Sequence, residues 1–148
     1  MLRREQIISE LVSRIGNTEG ITFVARNPSA KPSVDEMPLG NIFDFPAQVV
    51  KSSGGGKTSL PTYKMVMQAL VEVYVSGTTD DLASYELMEF YTEMLIAIFS
   101  DGASLGGLCE IGISEMTRIF RPPIGGNVAG IGTVFTVVYP EDLNLLTQ

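Results

Sequence analysis

Three places in the sequence hold residue types that can do chemistry. The first is Lys51-Ser-Ser-Gly-Gly-Gly-Lys-Thr-Ser59, which contains Gly56-Lys57-Thr58, the closing letters of a phosphate-binding loop. Such a loop reads Gly, four residues, then Gly-Lys-Ser/Thr. Its first glycine lets successive N–H groups turn toward the phosphate, and its lysine meets the charge. Here the position of that first glycine is Lys51. The loop must also leave a strand and enter a helix, whose N-terminus helps hold the phosphate. The run from Pro61 to Val75 is instead rich in β-branched residues and partly alternating, so it reads as a strand. The glycines 54–56, flanked by serines, therefore read as a mobile loop whose lysines Lys51 and Lys57 can touch a partner. A small nucleotide-binding protein built on Gly56-Lys57-Thr58 stays open as the alternative. The second place is Cys109, the single cysteine. A thiol nucleophile needs a base, and the chain contains no histidine, so Cys109 reads as a small buried apolar side chain. The third is Glu86, Glu89 and Glu93 on a helical segment. Without histidine or a second acidic cluster they read as a solvated face.

The absence of histidine also removes the imidazole triads and most zinc and iron sites. No metal or cofactor is expected, and no enzymatic activity. The net charge is −7, unevenly spread. Residues 1–64 hold eight basic and six acidic side chains; residues 65–148 hold two and eleven. An acidic chain is a poor wrapper of nucleic acid, which needs clustered Lys/Arg. Unlike halves suit head-to-tail pairing of copies. The only basic residues after Lys64 are Arg118 and Arg121, candidates for ion pairs within or between subunits. Hydrophobic residues make up 45% of the 148, enough for a real core in one domain spanning 1–148. No apolar run reaches membrane-spanning length, and Met1-Leu-Arg-Arg-Glu-Gln leads into no signal-peptide core.

The elements that must position these residues emerge from periodicity. Ile8, Leu11, Val12 and Ile15 predict a helix over 3–15, stopped at Gly16-Asn17. Residues 20–26 predict a strand, and Pro28, Pro32 and Pro38 a surface loop. Residues 41–45 predict a short strand ended by Pro46, with 47–50 extending it past a bend. A long strand is expected over 62–75, its face Tyr63, Met65, Met67, Ala69, Val71, Val73 and Val75 in the core. Its other face is mixed, as suits partial cover by another subunit or strand. Thr79 reads as the N-cap of a helix to about residue 100, with Leu87, Met88, Tyr91, Leu95 and Ile98 inward. Residues 101–107 read as a turn, and two strands are expected over 108–120 and 130–139, the latter central and ended by Pro140. The order predicts an α+β fold: a mostly antiparallel β-sheet with two α-helices packed on one face, and long loops.

The layout resembles the tail terminator (tail completion) proteins of long-tailed bacteriophages. The resemblance rests on the short first helix, the loop from Pro28 to Pro38, the glycines 54–56, Ser76-Gly-Thr-Thr-Asp-Asp81, Leu105-Gly-Gly-Leu108 and Arg121-Pro-Pro-Ile-Gly-Gly-Asn127 before the last strand. It covers nearly the whole chain as a pattern, without a diagnostic motif. It implies a subunit of a homohexameric ring on the tail tube that stops tube polymerisation and joins a head-side connector or stopper protein. It implies a place at the head-proximal end of the virion tail, after assembly in the host cytoplasm, with no catalysis, cofactor or membrane. DNA passes such a ring without specific binding, and excess acid suits a lumen that repels phosphate. Lys51, Lys57 and Arg121 fall on loops that face partners in such a ring. Another head–tail joining protein, a neck adaptor or stopper, fits the residues nearly as well.

Overall fold

Ile7, Ile8, Leu11 and Ile15 recur at helical spacing, and helix α1 forms over Arg3–Gly16 with all four fully buried. The apolar stripe is centred one residue earlier than the sequence suggests, because Ile7 enters the core while Val12 sits at its margin. Leu2 offers no side-chain cap to α1. Instead the Arg3 N–H donates to the Glu141 carboxylate at 3.1 and 3.0 Å, so a remote side chain serves the exposed helix end. The computed structural model describes residues 2–54, 61–77, 80–117, 119–122 and 127–142.

Strands β1 (Phe23–Arg26), β2 (Leu39–Asp44), β3 (Gln48–Gly54) and β4 (Pro61–Val75) precede helix α2 (Asp80–Ile98). Strands β5 (Glu110–Met116) and β6 (Ala129–Asp142) come after it. The sheet order is β1-β2-β4-β6-β5, with β3 also paired to β4. Among the described strand pairs only β1–β2 is parallel. The expected α+β architecture, a mostly antiparallel sheet with two helices, is therefore the one observed, and β4 and β6 are its centre.

Strand β4 is long enough to hold two partners on one edge. Its Ala69–Tyr74 stretch pairs with β2 and its Pro61–Val66 stretch with β3. The chain steps from one to the other at Phe45-Pro46-Ala47. Proline lacks the N–H that a continued ladder needs, so residues 48–54 form a separate strand rather than an extension of β2. Ser52, Ser53 and Gly54, read from sequence as loop, belong to that strand and pair with Tyr63, Thr62 and Pro61. Pro140 does not end β6, which continues to Asp142 with Pro140 opposite Lys64. Strand β5 reaches only to Val138, so the end of β6 is an edge, where proline costs no ladder bond. Strand β5 is shorter than expected and shifts register between Ile113 and Glu115. The chain then returns to β6 through an isolated bridge, Phe120 to Gly130.

That return explains the alternation Gly130-Ile-Gly132. A Cβ on Gly130 would stand 2.9 Å from both Phe120 and Tyr74, whose rings meet edge-to-face at 5.8 Å. Glycine leaves room for the aromatic pair on that side of the sheet. The opposite side is the main core. Val71, Val73, Ile131, Phe135 and Val137 pack there against α1 and against Leu87, Tyr91, Met94 and Ile98 of α2. Met94, not Met88, completes the inner stripe of α2; Met88 is 40% exposed.

Candidate interaction surfaces

Gly56-Lys57-Thr58 falls among residues 55–60, outside the described residues, yet the strands on either side settle its context. They are antiparallel neighbours, so the segment links two strands of a hairpin, and β4 comes where a phosphate loop needs a helix. Lys51 lies on β3, exposed, directly across from Lys64 on β4. Two like charges in register repel. Between Asp44 and Glu72 the sequence has three lysines, Lys51, Lys57 and Lys64, and no carboxylate, so acid near the pair comes from other strands: Glu110 lines the same cleft, and Asp142 stands across from Thr62, two residues from Lys64. Among the described residues neither Lys51 nor Lys64 forms an ion pair. Apolar side chains accompany them, with Phe45, Val49 and Val50 at 43%, 55% and 59% exposure. A cleft of about 390 Å³ opens beside the two lysines, bounded by Tyr63, Cys109 and Glu110. Burial pushes the Cys109 thiol up to about 11, so it is protonated at neutral pH and a poor nucleophile.

The second surface is the outer side of α2. Residues 80–98 carry apolar side chains all round the helix, and only one stripe can face the sheet. Leu87, Tyr91, Met94 and Ile98 take that place. Leu82, Tyr85 and Ile96 are left outward at 57%, 75% and 59% exposure, with Met88 beside them. A groove runs between Tyr85, Met88, Glu89, Thr92 and Glu93. Glu89 and Glu93, expected as part of a solvated polar face, are exposed but stand among these apolar groups. Residues 80–98 contain no basic side chain, so nothing within the helix neutralises them.

The N-terminal arginines belong to neither surface. Arg26 holds Asp44 at 3.1 and 3.0 Å and Glu5 at 2.7 and 3.0 Å. Arg4 reaches Asp44 at 2.9 Å, and Asn27 donates to the same carboxylate at 2.6 Å. Arg26 above all holds the Asp44 carboxyl well below the usual carboxylate range, against the opposing effect of burial. Arg14 donates to Asp101 at 2.7 and 3.0 Å, to Glu10 at 2.8 Å and to the Ile98 carbonyl at 2.8 Å. It thus closes the C-terminal end of α2 and ties it to α1. These groups lock helices to strands. Three of the eight basic side chains of residues 1–64, Arg4, Arg14 and Arg26, are used in these locks.

Of the four site residues singled out in the sequence, the two that are described, Lys51 and Arg121, do not converge. Lys57 and Arg118 lie outside the described residues. Arg121 is exposed and already engages other groups. It adjoins Phe120, which bridges to Gly130 opposite Tyr74, whereas Lys51 pairs with Lys64. From Lys64 to Tyr74 the strand rises about 33 Å, so Lys51 and Arg121 mark opposite ends of the sheet. Lys64 was missed, and only the hairpin register reveals it. The outer stripe of α2 was missed too, although the surplus of apolar residues in 82–98 was its signal.

Among the described residues no group of three or more acidic, cysteine or histidine side chains is placed to hold a metal ion. No described helix is long and apolar enough to cross a membrane. No family model and no curated protein matches the chain. A solved structure without a functional name covers 91% of this chain and 92% of its own, at 16% identity and a TM-score of 0.47. A likeness at that level carries no argument about function.

Proposed function

We propose that this chain is a structural ring subunit of the phage tail terminator kind. A ring of copies, six in that family, caps the tail tube, stops its polymerisation and offers its other surface to the head-side connector. The reading places the protein at the head-proximal end of the virion tail, after assembly in the host cytoplasm. DNA crosses the ring lumen without specific binding, and no catalysis is involved.

One observation carries the reading: α2 turns Leu82, Tyr85, Met88 and Ile96 to water while a full apolar stripe on its other side faces the core. Exposed large side chains gathered on one helix mark a protein contact rather than a lone folding unit. The charge pattern agrees with self-assembly, since exposed lysines and exposed glutamates lie on separate elements. The alternative built on Gly56-Lys57-Thr58 loses its main structural requirement, because a strand comes after that segment.

The test is tube capping. The tail-tube protein of the same particle is polymerised with and without this chain, and the products are imaged by negative stain. Short tubes carrying a ring at one end are expected. Tubes of unchanged length with bare ends reject the terminator role. Rings that bind a connector but leave tubes untouched assign the chain to another joint of the neck.

A further inference from the structure

We propose that the outer face of α2 in one copy seats on the β3–β4 hairpin of the next copy. The inference rests on the ring reading and specifies which surfaces build the ring.

The two surfaces match in three respects. Both are apolar: Leu82, Tyr85 and Ile96 on the helix, Val49 and Val50 on the strand, all more than half exposed. Their charges are opposite. Glu89 and Glu93 stand exposed on α2, and Lys51 and Lys64 stand exposed across the hairpin. Helix α2 holds no base of its own, and on the hairpin the two lysines face each other in register, with Glu110 lining the same cleft. Carboxylates from a neighbouring copy lower that repulsion further and give the contact its direction. Their lengths also agree. Leu82 to Ile96 spans about 21 Å of helix, and the seven residues of β3 span about 23 Å of strand.

The surfaces lie on different elements and share no residue. Each copy therefore has one of each to offer, and a contact of this kind propagates head-to-tail until it closes into a ring. The same feature explains why α2 departs from ordinary amphipathic design. Its inner stripe serves the fold and its outer stripe serves the neighbour. It also gives the hairpin lysines a role that a phosphate loop does not.

A reciprocal charge swap tests the contact. One variant carries Lys51→Glu and Lys64→Glu; the other carries Glu89→Lys and Glu93→Lys. All four positions are exposed, so both variants are expected to fold, and circular dichroism with a thermal melt checks this. Solution mass is measured by light scattering from about 10 to about 500 µM, in about 50 mM and about 1 M salt, because screening weakens exposed charge pairs. The wild type is expected to assemble, and each variant alone to lose at least tenfold in association. Mixed one to one, the variants regain assembly, since every helix now meets a hairpin of opposite sign. The restored particle must alternate the two and so hold an even number of copies.

Variants that assemble as well as the wild type overturn the contact, as does a mixture that fails to recover. Rings in the wild type and in both variants leave the terminator reading standing and move its interface elsewhere. A wild type that stays monomeric throughout overturns self-contact through α2, while tube capping still decides the function. Assembly regained as pairs rather than rings keeps the contact and removes the ring.

Discussion

The two helices cover the same sheet, yet they are built differently. Helix α1 spends its apolar residues on one side and pairs Arg4 with Asp44 and Arg14 with Glu10 and Asp101, while its Glu5 holds Arg26. Helix α2 has a buried stripe, Leu87, Tyr91, Met94 and Ile98, and a second apolar stripe in water. Its exposed Glu89 and Glu93 have no ion-pair partner among the described residues. A helix finished by its own domain looks like α1. A helix that waits for another surface looks like α2. The difference shows that the count of charges in a segment does not say where they act, since Arg4, Arg14 and Arg26 hold the fold together while Lys51 and Lys64 stand exposed on the hairpin.

The largest effects should come from the inner stripes, where the helices are alike. Leu11→Ala and Met94→Ala each remove a fully buried side chain beside a sheet that cannot collapse onto it. Each is expected to cost about 3 kcal/mol, read from denaturant unfolding. A loss below about 1 kcal/mol at Met94 would mean that α2 is held mainly by its ends.

The lock on α1 comes next. Asp44→Asn leaves Arg26 and Arg4 facing an amide, and a loss of roughly 2 kcal/mol is expected. The pH dependence has a defined sign. The folded-state carboxyl of Asp44 is held below its unfolded value, chiefly by Arg26. Its stabilisation is present above about pH 4, the unfolded value, and is lost as pH falls toward the folded one. Melting temperatures between about pH 7 and about pH 3 should therefore fall less in Asp44→Asn than in the wild type. Equal slopes would place the acid sensitivity elsewhere. A smaller gain is expected at Thr133, whose buried hydroxyl has no hydrogen-bond partner among the described residues. Thr133→Val removes that unpaired group at nearly constant shape, and about 1 kcal/mol of added stability should appear in the same unfolding assay.

The fold class was legible because periodicity sets it. The alternation from Tyr63 to Val75 and the helical spacing from Ile8 to Ile15 both survive in the structure, the latter with Ile7 in place of Val12. Where the sequence misled, tertiary pairing decided. Pro140 stays in its strand because only one neighbour reaches it, and Ser52 to Gly54 become strand because β4 is long enough to pair with them. Met88 and Met94 are both apolar and lie on one helix, and only the position of α1 and the sheet decides which is buried. The hairpin surface was half legible. Lys51 stood out beside the glycines, but Lys64 becomes its neighbour only through the register of two strands.

The smallest effect on stability should fall on the outer stripe of α2, and there the helices part. Tyr85→Ser and Ile96→Ser remove exposed apolar surface from a side with no core contact to lose. At concentrations too low for association, unfolding should stay within about 0.5 kcal/mol of the wild type. The low concentration matters, because binding between folded copies would add to apparent stability by mass action. At high concentration the same substitutions should weaken association while a matched exposed change on α1, such as Ser9→Ala, leaves it alone. A large stability loss at Tyr85 in the dilute chain would mean that this ring supports its own domain, and the contrast between the two helices would then collapse.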